Sequence, residues 1–456
     1  MKKESHSIAD KNVMTSGCVW SKMTLFAIPI FLGNLFQQLY NTADSYIVGN
    51  YLGTTALSAV TSAGSLIFLL IGFFQGLSMG AGVVIARYIG AEDKQSIEKS
   101  VDTAVALGIV SGVLMTIIGV FFTPKILVLM GMPDNVMPSS VAYFRLYFLG
   151  SIGFVMYNTL MGILQAAGDS KHPLYYLIIS SVINIVLDIT LIGFFKRGVW
   201  AAALATAISQ LVSAVLCFIR LLNINADYRI RVNLISFDGI MLKKIIRFGL
   251  PSAFQNSIIA FANIVVQSNI NSFGEYAMAG AGAYSKVEGF AFLPITSFAM
   301  AITTFVSQNL GAGNIDRARE GARFGTTVSV IVAEIIGVFI FILAPVFISS
   351  FDKTSEVVDY GTVRARTCAL FFCLLAFSHA MAALMRGLGK AIVPMVVMLI
   401  CWCIIRVSIL VFVGYFIHNI AVVNWVYPIT WSLSSIVFAG YYLKTPLLRN
   451  KEKDHI

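Results

Sequence analysis

Stretches of about 20 mainly apolar residues recur from one end of this chain to the other, and nothing constrains its fold more, because a soluble core could not hide so many of them. Hydropathy windows of about 19 residues place twelve such segments, the first near 23–48 and the last near 422–443. Only 12% of the 456 residues are charged, about half the share of an ordinary soluble domain. Within a bilayer each backbone N–H and C=O must find its partner in the chain itself, and these segments are too long and too uniformly apolar for barrel strands. An all-α integral membrane protein is expected, and a soluble enzyme is excluded.

The formal charge of +10 raises nucleic acid as a partner until the charges are located. Of the 32 Lys and Arg residues, 23 fall in the two tails and the even-numbered loops and 4 in the odd-numbered loops; Arg145, Lys286, Arg364, Arg366 and Arg406 lie within spans or at their rims. This is the positive-inside pattern of a multi-pass cell-membrane protein with both termini cytoplasmic. It gives no reason to expect nucleic acid. The first 22 residues lack the apolar h-region of a signal peptide, so no cleaved leader is expected. The six cysteines show no metal-type spacing and read as packing residues.

Compared with itself at a shift of 221 residues, the chain shows a weak repeat. Gly90 falls on Gly311, Gly168 on Gly389 and Pro173 on Pro394, while Pro29 is one residue out of phase with Pro251. Six spans per half is an even number, so both halves enter the membrane in the same orientation. The expected organisation is a tail (1–22), an N-lobe (23–221), a basic cytoplasmic linker (222–244), a C-lobe (245–443) and a second tail (444–456). The twelve transmembrane helices then form two six-helix lobes related by a pseudo-two-fold axis along the membrane normal, an architecture suited to alternating access.

Asp44, Asp188, Glu288 and Glu334 interrupt apolar segments, where an unpaired acid costs at least about 2.5 kcal/mol. Asp44 follows Gln37, Tyr40 and Asn41 on the first span. Asp188 lies four residues after Asn184 on the fifth, on the same helical face, and the sixth span adds Thr206. Carboxylates with amide and hydroxyl oxygens nearby are hard-ligand chemistry, suited to Na⁺ or to a proton shared by two acids. The other reading is that these acids hydrogen-bond to neighbouring helices as structural links. At the repeat shift Asp44 falls on Val265 or Val266 and Asp188 on Ile409 or Leu410, so the second half does not duplicate them. Glu288 and Lys286 are two residues apart and do not face each other. Arg406 reads as a counter-charge for an acid in the second lobe. Pro29, about four turns before Asp44, is a static kink or a bend felt at the acid. The phosphate loop G-x-x-x-x-G-K-[ST] is absent, as are H-E-x-x-H and G-x-S-x-G, so neither an ATP-driven pump nor an enzyme is expected.

Across nearly its whole length the sequence resembles the multidrug and toxic compound extrusion (MATE) family of cation-coupled efflux transporters. The resemblance is carried by IPIFLGNLFQQLYNTADSYIVGNYLG, GLSMGAGVVIARYIGAEDK, LQAAGDSKHP, INIVLDITLIG, GLPSAFQNS, SQNLGAGNIDRARE and LMRGLGKAIVP in this order. It implies antiport of organic cations or amphipathic toxins against Na⁺ or H⁺, with no bound cofactor. It further implies a cation site in the N-lobe formed by Asp44, Asn184, Asp188 and Thr206, with Tyr40 one turn before the first acid and Pro29 as the bending proline. The same four residues would be the metal ligands if the coupling ion is Na⁺. Family members with an acid on the seventh span carry it where this chain has Ile259, which favours the N-lobe. A broad apolar binding chamber is expected, with Gln37 and Asn158 as drug contacts. The partners are then small-molecule substrates and the lipid bilayer, and a monomer is expected. The alternative function is a lipid-linked oligosaccharide flippase or polysaccharide exporter of the same superfamily, which needs a larger cationic cavity.

Overall fold

The computed structural model describes residues 13–52, 54–129, 136–417 and 419–444, excepting the side chains of 54–59, 61–71, 129 and 415. The outer parts of the two tails expected to be cytoplasmic, 1–12 and 445–456, lie outside these residues. Helices follow one another throughout: α1 (Val19–Leu52), α2 (Thr54–Gly90), α3 (Lys94–Leu129), α4 (Met137–Leu149), α5 (Ser151–Ala166), α6 (Lys171–Asp188), α7 (Trp200–Asn223) and α8 (Gly239–Asn271). Then come α9 (Glu275–Gly311), α10 (Ile315–Ser349), α11 (Ser355–Ala369), α12 (Phe372–Gly387), α13 (Ile392–Met398) and α14 (Ile420–Lys444). A π-helical turn, Ile189–Phe194, continues α6, and two more, Leu399–Ile405 and Ile409–Val413, continue α13.

Among the described residues nine segments are long and apolar enough to cross a membrane, and eleven when each of two bent helix pairs is one span. The 37-residue α2 completes the expected twelve. Phe121, Phe194 and Phe412 are 73%, 79% and 67% exposed, a surface tenable against lipid rather than water. The chain is a multi-pass membrane protein.

Neither bent pair has a proline at its break. Helices α4 and α5 meet at 43° around Gly150, where a Cβ would collide with Ala207. Helices α11 and α12 meet at 54°, and there the Cys373 amide donates to Glu334 Oε2 at 3.1 Å. The intramembrane acid Glu334 thus satisfies a helix start freed by the bend.

Two compact units divide the chain. The first contains Ile28–Ala253; the second contains Met14–Ala27 together with Phe254 onward. Helix α1 therefore changes unit just before Pro29, and α8 just after Pro251. Each crossing sits beside a proline, where the helical hydrogen-bond ladder is already interrupted.

In the first unit α5 packs between α3 and α7, α6 lies along α7, and α2 lies along α5. Gly76 and Gly80 of α2 meet the backbone of Ala253 and Gly249 on α8 with no space for a Cβ, so GLSMG is a seam of direct backbone contact. Outside the span, the amides of Met241 and Ile240 and the Lys99 ammonium hold the Asp238 carboxyl below the usual carboxylate range, at the cap of α8. In the second unit α9 is the central helix, packed by α10, α11 and α12. The Met14 amide donates to Gln308 Oε1 at 2.8 Å, and Arg317 holds the carbonyls of Met14, Ser16 and Gly17. The repeat survives in the backbone: Gly168 (φ 83°) after α5 and Gly389 (φ 79°) after α12 both take the left-handed conformation that ends a helix.

Candidate functional site

The first unit gathers its intramembrane acids into one cluster. Helix α1 presents Tyr40 and Asp44 one turn apart, and the last turn of α6 presents Asn184 and Asp188. Asp188 is also the residue at which α6 widens into its π-helical turn, a distortion common where a helix must aim a functional side chain. Asp188 and Asn184 are fully buried, Tyr40 is 6% exposed and Asp44 8%. The two carboxyl groups lie within electrostatic range of each other.

Within this cluster the hydrogen-bonding capacity is far from used. Asp44 Oδ1, both carboxyl oxygens of Asp188 and both amide atoms of Asn184 are buried without a hydrogen-bond partner among the described residues. Buried polar atoms are ordinarily paired, and the cost of leaving a charged one unpaired is several kcal/mol, of order 3 or more. Four of these five atoms are hard oxygens converging from two helices, which suits Na⁺ or a proton and not a soft metal. Among the described residues no three His, Cys, Asp or Glu side chains group as a transition-metal site would require.

A shell of neutral donors surrounds the pair. Gln210 Nε2 donates to the Tyr40 hydroxyl at 3.2 Å, and Gln37 also interacts with Tyr40. Thr206, half-buried, lies one turn before Gln210 on the same face of α7. Tyr143 and Tyr147 of α4, stacked at 6.1 Å, sit within electrostatic range of Asp44, and Tyr143 also of Asp188. Sequence reasoning missed Gln210 and both tyrosines. Their signals were the four-residue spacings Thr206–Gln210 and Tyr143–Tyr147, which in apolar spans look like ordinary packing. Asn158 is 5% exposed on α5, and its Nδ2 donates to the Phe154 carbonyl at 2.9 Å. Pro29 is buried where α1 enters the first unit.

In the second unit Lys286 is exposed, while Glu288, half-buried, accepts a hydrogen bond from the Tyr284 hydroxyl at 3.1 Å. Arg406 is 1% exposed and its Nη2 donates to Thr430 Oγ1 at 2.9 Å. Arg406 is within electrostatic range of Glu288, yet the two form no ion pair among the described residues.

Comparison with known proteins adds the family. The MatE family model matches the chain twice, over residues 29–190 and 251–412, so each match begins at a unit-crossing proline. "Probable multidrug resistance protein YoeA" of Bacillus subtilis is 29% identical over 93% of this chain and 93% of its own length. "Probable multidrug resistance protein NorM" of Thermotoga maritima is 27% identical over 81% and 80%. The crystal structure of MATE in complex with MaL6 superposes with a TM-score of 0.90 at 24% identity, covering 96% of this chain and 99% of that one. With two family matches and a shared fold, the chain belongs to the multidrug and toxic compound extrusion family.

Proposed function

We propose that this protein is a secondary multidrug efflux antiporter, exporting organic cations or amphipathic toxins in exchange for Na⁺ or H⁺ by alternating access. The observation that carries the reading is the buried Asp44–Asp188 pair with its unpartnered oxygens. Two like charges at interacting range need a shared proton or a cation to offset their repulsion, and either could arrive as the coupling ion. The names of the relatives, multidrug resistance proteins, support the substrate class.

Antiport requires that ion and drug favour opposite states, because a ligand with equal affinity for both shifts nothing. In this reading Asp44, Asp188, Asn184 and Thr206 hold the ion, and Tyr40 and Gln210 fix the rim. Bending at Pro29 carries the change along α1, with Gln37 and Asn158 as drug contacts. One positive charge moving inward down 100 mV supplies about 2.3 kcal/mol, enough for roughly a fiftyfold gradient of a neutral drug. A monomer in the plasma membrane with both termini in the cytoplasm completes the proposal.

The test is ethidium transport in reconstituted vesicles under separately imposed pH and Na⁺ gradients. At least one gradient is expected to drive accumulation, and Asp188→Asn to abolish it while the protein remains folded in the membrane. Accumulation by Asp188→Asn at the wild-type rate would remove the coupling role.

A further inference from the structure

The second unit holds a buried cluster of opposite sign. Arg364 and Arg406 are 5% and 1% exposed, and both guanidinium groups stack on the Tyr427 ring, at 5.0 and 4.4 Å from its centroid. Tyr284 covers Arg364 at 5.3 Å, and Trp402 covers Arg406 at 5.6 Å. The aromatic faces thus fix both guanidinium planes and leave their edges for hydrogen bonds. Those edges are only partly used. Arg364 Nη1 reaches Asn424 Oδ1 at 3.4 Å, and Arg406 reaches Thr430 Oγ1 at 2.9 Å and Asn263 Oδ1 at 3.5 Å, while the Nε atoms of both arginines are buried without a partner. Glu288 is the acid in electrostatic range of both, but it forms no ion pair with either among the described residues. Two guanidinium charges against one carboxylate leave an excess of one positive charge inside a membrane lobe.

The cluster includes the repeat partners of residues that surround the acid pair, though not of the acids themselves, which fall on Val266 and Leu410. With the displacement of 222 that relates the two family matches, Asn184 falls on Arg406 and Asn41 on Asn263. With the displacement of 221 that relates Gly168 to Gly389, Tyr143 falls on Arg364 and Thr206 on Tyr427. Both halves carry π-helical turns in the corresponding helix, Ile189–Phe194 in the first and Leu399–Ile405 in the second.

We propose that the second unit contains a binding site for one oxyanion, a carboxylate or phosphate head group, held between the edges of Arg364 and Arg406. Both Nε atoms donate to it, Tyr284 and Trp402 wall it, and Glu288 competes with it for the same two charges. A planar oxyanion matches the fork of a guanidinium edge better than a spherical halide does. The exported compounds would then include amphipathic anions and zwitterions as well as cations. The site stands independently of the coupling role given to the acid pair.

The test uses purified full-length protein and two probes, a rhodamine dye with a free benzoate and its methyl ester, followed by fluorescence anisotropy. The acid form should bind about tenfold more tightly than the ester. Arg364→Gln and Arg406→Gln should each bring that ratio near one, with ester binding changed less than about twofold. Glu288→Gln should raise affinity for the acid form about threefold or more by removing the internal competitor. Equal binding of the two dyes by the wild type overturns the proposal, as does a preference that survives both arginine substitutions. If the arginine variants are not monodisperse on gel filtration, Glu288→Gln decides, and unchanged affinity for the acid form overturns it. Displacement of the bound acid dye by a short-chain phosphatidylglycerol or by free benzoate, in detergent, separates the sources. Displacement by the lipid and not by benzoate identifies a lipid head group as occupant, displacement by benzoate identifies a free carboxylate, and displacement by neither overturns the proposal. Asp188→Asn should keep the tenfold preference, so failure of coupling and failure of this site are distinguishable.

Discussion

The two units carry the same helical repeat and opposite buried charge. In the first, Asp44 and Asp188 meet among neutral oxygens; in the second, their repeat partners Val266 and Leu410 are 1% and 2% exposed and pack in one apolar cluster with Ile270, Ala281, Val423 and Val426. What the duplication kept is backbone geometry: the unit-crossing prolines, the left-handed glycines and the bent helix pairs. These features are demanded by the fold itself, so both halves need them. Buried charge is costly wherever it stands, so it persists only where it is used, and each half is free to use a different sign.

Removing the acids attacks this contrast most directly. Asp188→Asn and Asp44→Asn are each expected to reduce ion-driven ethidium transport at least about a hundredfold, read as initial rates in vesicles matched for protein. Stability should move the other way. Asp188→Leu removes a buried carboxyl group without a hydrogen-bond partner and should stabilise the protein by about 1–3 kcal/mol, whereas Leu410→Asp places an acid in the apolar cluster and should cost about 3–5 kcal/mol. Thermal unfolding of the purified variants measures both, and shifts of the same sign would break the comparison. Pro29→Ala should slow transport several-fold, and Pro251→Ala less, because α1 bears an acid about four turns beyond its proline and α8 has Val266 there. Equal losses would show that both crossings serve the ion site. The smallest effect expected is for Tyr147→Phe, which leaves the ring and removes one hydroxyl near Asp44. A shift of about two- to threefold in the ion concentration for half-maximal transport would fit that loss.

The twelve spans, the repeat and the acids were legible in the sequence because apolar length, paired glycines and charges in apolar runs all stand out against lipid. The rest of the candidate site was not. Tyr143, Tyr147 and Gln210 are neutral, and their spacing on a helix is what any packed helix face shows. The two proline-free bends were equally hidden, since Gly150 is one glycine among 36 and the amide that Glu334 satisfies lies 39 residues away. The small-residue spacing of GLSMG stands in the sequence, but only the structure shows which backbone it meets. Arg406 was anticipated as the counter-charge of an acid; the structure gives it a second arginine, Arg364, on the same tyrosine ring.

The crossing of α1 and α8 bears on where the chain can be divided. Each half begins its first helix in the other half's unit, so a cut between the two repeats in sequence would leave each piece with a leading arm that belongs to the other unit, and neither unit is made from one uninterrupted half of the chain.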